Sequence, residues 1–136
     1  MARSIKAISL ALALFALTPA WADSGRYAHR LAQVMANAGA PAVSVNYRGT
    51  YDWEVLGDHT ILLWETRQRA YYVDVQPTCD EFPWAMTIRI DVHNMSLTTF
   101  DKIRVRDRTC WITEIRPVDV KGLKATEKQD RAAKDS

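Results

Sequence analysis

From Val43 onward the apolar residues of this chain change their period from 3.6 to 2, and few architectures accept that pattern. "MTIRIDV" places Met86, Ile88, Ile90 and Val92 on one side and Thr87, Arg89 and Asp91 on the other. "KIRVR" repeats it, with Ile103 and Val105 set against Lys102, Arg104 and Arg106. Such alternation marks half-buried strands with one wet face. "TILLWET", "AYYVDV" and "CWITEI" are apolar on both faces, which suits strands covered from both sides. "SVNY" and "DWEVL" are weaker strands. "LGDH", "TRQR" and "RDRT" read as turns between neighbours, so the chain meanders through hairpins. Pro77 and Pro83 make "QPTCDEFPW" a loop or a single helical turn. "HNMSLTTF" reads as a longer connection, and Pro117 ends the last strand. The expected fold is mainly β, a small antiparallel barrel or roll of six to seven strands.

One short helix precedes it. Tyr27, Leu31, Val34, Met35 and Ala38 follow helical spacing, Asp23 or Ser24 can cap the start, and Gly39 with Pro41 stops it. After Val120 the composition turns polar: "KGLKATEKQDRAAKDS" has Leu123 as its one large apolar residue. Such a segment buries too little to fold alone and is expected to be a disordered tail or a frayed helix. The expected organisation is therefore a leader at 1–22, helix and linker at 23–42, a β domain at 43–120 and a polar tail at 121–136.

The leader bears on everything chemical. "MARSIKAISLALALFALTPAWA" carries Arg3 and Lys6, then an apolar run, then small residues at Ala20 and Ala22. This is the layout of a bacterial secretory signal cut after Ala22. The apolar run is shorter than the roughly 20 residues that span a bilayer. The expected destination is the periplasm or the medium, with no stable membrane anchor after cleavage. The 18 bases and 16 acids of the whole chain become equal once Arg3 and Lys6 leave. A balanced charge gives no reason to expect nucleic acid as a partner.

In an exported chain, two cysteines favour a disulfide between Cys79 and Cys110. The other readings are weaker on their chemistry. A zinc site needs three or four ligands, and His29, His59 and His93 show no ligand spacing with the cysteines. A nucleophilic thiol needs a basic neighbour, whereas Cys79 is followed by Asp80 and Glu81. No H-E-x-x-H, G-x-S-x-G or phosphate-cradling glycine loop is present, so no catalytic residue, metal or cofactor is expected. Ser96 near His93 and the adjacent Asp58 and His59 are the local hints of acid–base chemistry, and both read more plainly as loop residues.

Aromatic residues are the remaining signal. Trp53, Trp64, Tyr71, Tyr72, Trp84 and Trp111 crowd into the β region. Adjacent strand residues face opposite ways, so Tyr71 and Tyr72 cannot share a side, and Trp111 faces away from Cys110. Some of them are core. The surface expected to meet a partner combines Tyr72, Trp84 and Trp111 with Arg104 and Arg106. A periplasmic protein, a peptide or a glycan would suit it.

The runs "YYVDVQPTCDEFPWAMTIRI" and "FDKIRVRDRTCWITEIRPVD" resemble an uncharacterised family of short exported proteobacterial proteins, a domain of unknown function. The resemblance covers about Tyr51 to Val120. It implies a Cys79–Cys110 pair and an extracytoplasmic β domain, and transfers no activity. The expected function is a non-enzymatic binding or accessory module. The alternative is a small periplasmic hydrolase, or an enzyme inhibitor presenting the Cys79 loop.

Overall fold

A computed structural model describes residues 22–135; the expected leader lies outside the described residues, apart from Ala22. Helix α1 (Ala22–Met35) comes first. The strands are β1 (Ser44–Asn46), β2 (Asp52–Val55), β3 (Thr60–Thr66), β4 (Arg69–Val75), β5 (Ile88–Ile90), β6 (Ser96–Thr98), β7 (Lys102–Val105) and β8 (Arg108–Val118). A 3-10 turn, Phe82–Trp84, interrupts the β4–β5 connection, and helix α2 (Val120–Lys134) follows β8. Six strands form an antiparallel half-barrel in the order β2-β3-β4-β8-β7-β5, and β1 pairs with β6 as a separate two-stranded ribbon. The segment that reads as a long connection thus holds β6.

Alternation sorts the side chains into two cores. Ile61, Leu63, Tyr71, Val73, Ile103, Val105, Cys110, Ile112 and Ile115 fill the concave side. Leu97 of the ribbon and Tyr47, just after β1, close that side, and the 3-10 turn adds Phe82, whose ring lies 6.4 Å from that of Trp53. The opposite residues of β3 and β4, Leu62, Ala70 and Tyr72, meet Val34 of α1 and Leu123 of α2. β3 and β4 are apolar on both faces because both faces are covered.

The polar segment expected as a disordered tail or a frayed helix forms α2. Asp119 caps it by accepting from the Gly122 amide at 3.2 Å, and Val120 and Leu123 are buried. Polar bonds hold it to α1 and to the residues just after α1. Asn37 donates to Thr126 Oγ1 at 3.1 Å, Gln33 donates to Asp130 at 2.7 Å, and Arg30 donates to Glu127 at 2.6 Å. A side chain at Gly122 would run into Asn37 Oδ1 and the Asp119 carboxylate, so glycine is what lets the two segments approach. An apolar count therefore misses the helix, because hydrogen bonds and ion pairs hold what Leu123 alone could not.

Cys79 and Cys110 form a disulfide, with their Cα atoms 5.8 Å apart. It ties the loop after β4 to the start of β8, and both residues are almost fully buried. A disulfide fits an oxidising, extracellular-type environment. No helix among the described residues is long and apolar enough to cross a membrane.

Candidate functional site

The helices cover only half of the convex face. The other half, built from β5, β7 and the start of β8, is open. Register places Arg89 opposite Arg104, and Arg104 opposite Thr109, in one row. Lys102 stands opposite Trp111 in the next row, with its Nζ 4.3 Å from the centre of the indole. That distance is a cation–π contact. Trp111 is 46% exposed because Cys110, its neighbour, points into the core. Two like charges directly opposite each other work against strand pairing. Arg106 adds a second cost. It opens the two-residue turn between β7 and β8 with a φ of 55°, a left-handed conformation in which glycine is the usual residue.

Trp84 is 73% exposed at the end of the 3-10 turn, held out by the buried Phe82 before it and by the disulfide. Asp80 and Glu81 lie 3.7 and 4.0 Å from Arg108 across the β7–β8 turn, which fixes the loop against β8. The structure therefore keeps Trp84, Arg104, Arg106 and Trp111 at the surface. Tyr72 leaves the group: it is 8% exposed, and it packs beneath the helices with Leu62, Ala70 and Leu123. Its expected exposure rested on an uncovered outer face, and α2 is part of the cover.

A second place of interest was not legible in the sequence. The β3–β4 register slips between Trp64 and Thr66, leaving Glu65 as the extra residue of a bulge. Bulges re-aim side chains, and this one sends a carboxylate inward, where its charge acts on Tyr47 and Tyr71. Only 5% of the Glu65 side chain is exposed. Its Oε2 is buried and has no hydrogen-bond partner among the described residues. The nearby Tyr71 hydroxyl donates to the Asn46 carbonyl at 3.0 Å and also lies within hydrogen-bonding reach of Glu65. Tyr47 pairs with Thr50 through a short hydroxyl contact.

Burial, reinforced by the Glu65 charge, pushes the Tyr47 phenol up to about 12, against the pull of its Thr50 bond. Burial also raises Tyr71, with Glu65 adding, and Tyr72, with Asp74 adding. All three folded-state values lie above the unfolded one, so above about pH 10 the unfolded chain gives up protons that the folded chain keeps. Stability is then complete below pH 10 and falls as pH rises toward 12, by about 2–3 kcal/mol for Tyr47 alone. Urea midpoints measured at about pH 9 and pH 11.5 should show this loss, and Tyr47→Phe should flatten it. An equal alkaline loss in Tyr47→Phe would place its cause elsewhere.

The hydrolase alternative calls for acids and histidines to converge. His59 Nδ1 does pair with Asp74 at 2.6 Å, where Thr60 also donates at 2.9 Å. His93 lies 3.8 Å from Asp101. The hydroxyls at these pairs are those of Thr60 and Thr98, each donating to the acid, Thr98 to Asp101 at 3.2 Å; both cysteines are in the disulfide, and Ser44 and Ser96 bond each other at 2.8 Å in the β1–β6 ribbon. His59 also accepts the Val75 amide on its carbonyl at 3.0 Å, so the pair acts as a clamp between the β2–β3 turn and β4. Among the described residues no three histidine, cysteine or acidic side chains gather as a metal site.

No curated protein and no solved structure matches the chain. A family model matches residues 1–134, and the chain belongs to that family, a family of unknown function (DUF6491).

Proposed function

We propose that this protein is an exported binding or accessory module whose working surface is the open half of the convex face, and that its partner is anionic. The observation that carries this reading is the register that sets Arg89 directly opposite Arg104, beside Lys102 and Trp111, with Arg89 met only loosely by Asp91 at 3.9 Å. Such a pair weakens the sheet unless something negative covers it. An acidic peptide or protein segment, or an acidic glycan, would neutralise the row and stack on the indole. Arg106, kept where the turn favours glycine, extends the same positive strip. Export is supported by the signal-like leader and by the disulfide, which persists in oxidising compartments.

Tryptophan fluorescence titrated with poly-glutamate and with an acidic polysaccharide tests the surface. A saturable change that weakens with salt is expected. Arg104→Ala and Trp111→Ala should each weaken it about tenfold, leaving the melting temperature within a few degrees. Loss of thermal stability with unchanged binding would make these residues structural and end the proposal.

A further inference from the structure

β5 stands at one end of the strand order, and among the described residues only β7 pairs with it. Register determines which of its backbone groups are left over. The two-residue β7–β8 turn makes Val105 and Arg108 a hydrogen-bonded pair, so the Ile103 backbone also points to β8 and the Arg104 backbone to β5. The Arg89 backbone answers it. The amides and carbonyls of Ile88 and Ile90 therefore point away from the sheet. Those of Val92 follow, because His93 turns its own toward Ser96, whose amide donates to the His93 carbonyl at 3.1 Å. The side chains mark the same open edge. Ile88, Ile90 and Val92 face the core yet stay half-buried, whereas Ile103 and Val105 beside them are fully buried. On the other face the Arg89 and Asp91 side chains are 76% and 67% exposed. The segment has no proline, lysine or bulge, the usual guards of an edge.

We propose that this edge is the interface of a two-fold dimer, with the β5 strands of two copies paired antiparallel about Ile90. The run Ile88, Arg89, Ile90, Asp91, Val92 is its own complement in that register. Ile90 meets Ile90 of the partner subunit, Ile88 meets the partner's Val92, and Arg89 meets the partner's Asp91. Every outward amide and carbonyl of Ile88, Ile90 and Val92 then finds a match. Arg89 and the partner's Asp91 fall in the closer, non-hydrogen-bonded kind of pair, where opposite charges support the ladder. The half-buried apolar side chains of the two copies cover one another on the core side. No other centre pairs both charges. Centring on Arg89 or on Asp91 sets like charges opposite each other, and a one-residue slip sets core-facing side chains against outer ones. Met86 and Met95, 92% and 63% exposed, lie beyond opposite ends of the run, so the pairing brings each toward the other in the second copy. The dimer gives Arg89 a second carboxylate and sets the two faces of Lys102, Arg104 and Trp111 side by side.

Sedimentation equilibrium of the disulfide-bonded protein from about 1 to 200 µM tests the interface, and should show a monomer–dimer equilibrium in the micromolar range. Arg89→Asp and Asp91→Arg should each weaken dimerisation about tenfold. Combining them should restore it, because the double variant exchanges the charges of the pair instead of removing them. Both side chains are exposed, so the single variants should keep the circular dichroism of the parent, which separates lost pairing from lost fold. The amides of Ile88, Ile90 and Val92 should exchange slowly at high concentration and fast in Arg89→Asp. Dimerisation is read without any ligand, so it and the anionic-partner reading can fail separately. A monomer throughout, a dimer untouched by the single variants, a double variant that stays monomeric, or a dimer whose three amides exchange fast would overturn the proposal.

Discussion

Replacing Cys79 and Cys110 together by alanine is expected to remove roughly 3–4 kcal/mol of stability in the chain-entropy account of a disulfide. The bridge spans 31 residues, so the unfolded chain loses a large closed loop's worth of freedom when it forms. The native state also depends on where the bridge sits. The loop after β4 has few backbone bonds to the sheet; Gln76 N donates to the Trp111 carbonyl at 3.0 Å, and beyond it Phe82 is the main apolar anchor. Without the bridge that loop and the edge strand β5 should open before the rest. Urea unfolding of the oxidised protein, the reduced protein and the double variant measures the loss. Reduced protein and double variant should agree within about 1 kcal/mol, the difference being two small cavities. A total loss below about 1 kcal/mol would mean that Phe82 and the β7–β8 pairing hold the segment unaided. The outcome also bears on compartment, since a domain that relies on this bridge has to fold where thiols oxidise.

Alternation made half of this molecule readable. Ile103 and Val105 against Lys102 and Arg104 placed β7 and its outward charges, and the inward Cys110 placed Trp111 outside. That is why Arg104 and Trp111 could be named as outward-facing without knowing strand order. The failures share a different cause. β6 has one buried residue, Leu97, between Ser96 and Thr98, so three residues carry no period to detect. Glu65 sits in "TILLWET", which reads as apolar on both faces; the bulge that turns its carboxylate inward comes from pairing, and pairing is not local. Tyr72 was misplaced because α2 was missed. α2 was missed because its contacts join residues 89 and 97 positions apart through hydrogen bonds, while periodicity reports only what lies within a few turns.

One of those long-range bonds is made by Arg30, and Arg30→Met should cost about 2–3 kcal/mol. The guanidinium grips Glu54 through Nε at 3.0 Å and Nη2 at 3.1 Å, and reaches Glu127 through Nη1 at 2.6 Å. It thereby joins α1, β2 and α2, and Glu54 in turn accepts from the Trp64 indole at 3.0 Å. Burial works against the Arg30 charge, yet the bonds and charges of Glu54 and Glu127 outweigh it and raise its pKa. Its side chain is 24% exposed, and those of Glu54 and Glu127 are 35% and 26% exposed. Solvent therefore screens part of the pairing, which sets the expected loss below the 3–5 kcal/mol typical of breaking a fully buried pair. Most of that loss is the penalty on two carboxylates left facing each other across the helix–sheet junction. Adding Glu54→Gln and Glu127→Gln to Arg30→Met should therefore recover about half of it, a non-additivity that a mutant cycle reads directly. Hydrogen exchange localises the effect: amides of α2 should lose protection in Arg30→Met while those of β3 and β4 keep theirs. A loss under about 0.5 kcal/mol with α2 still protected would assign the helix pair to Val34 and Leu123 alone, and the ion network would then be surface decoration on an apolar contact.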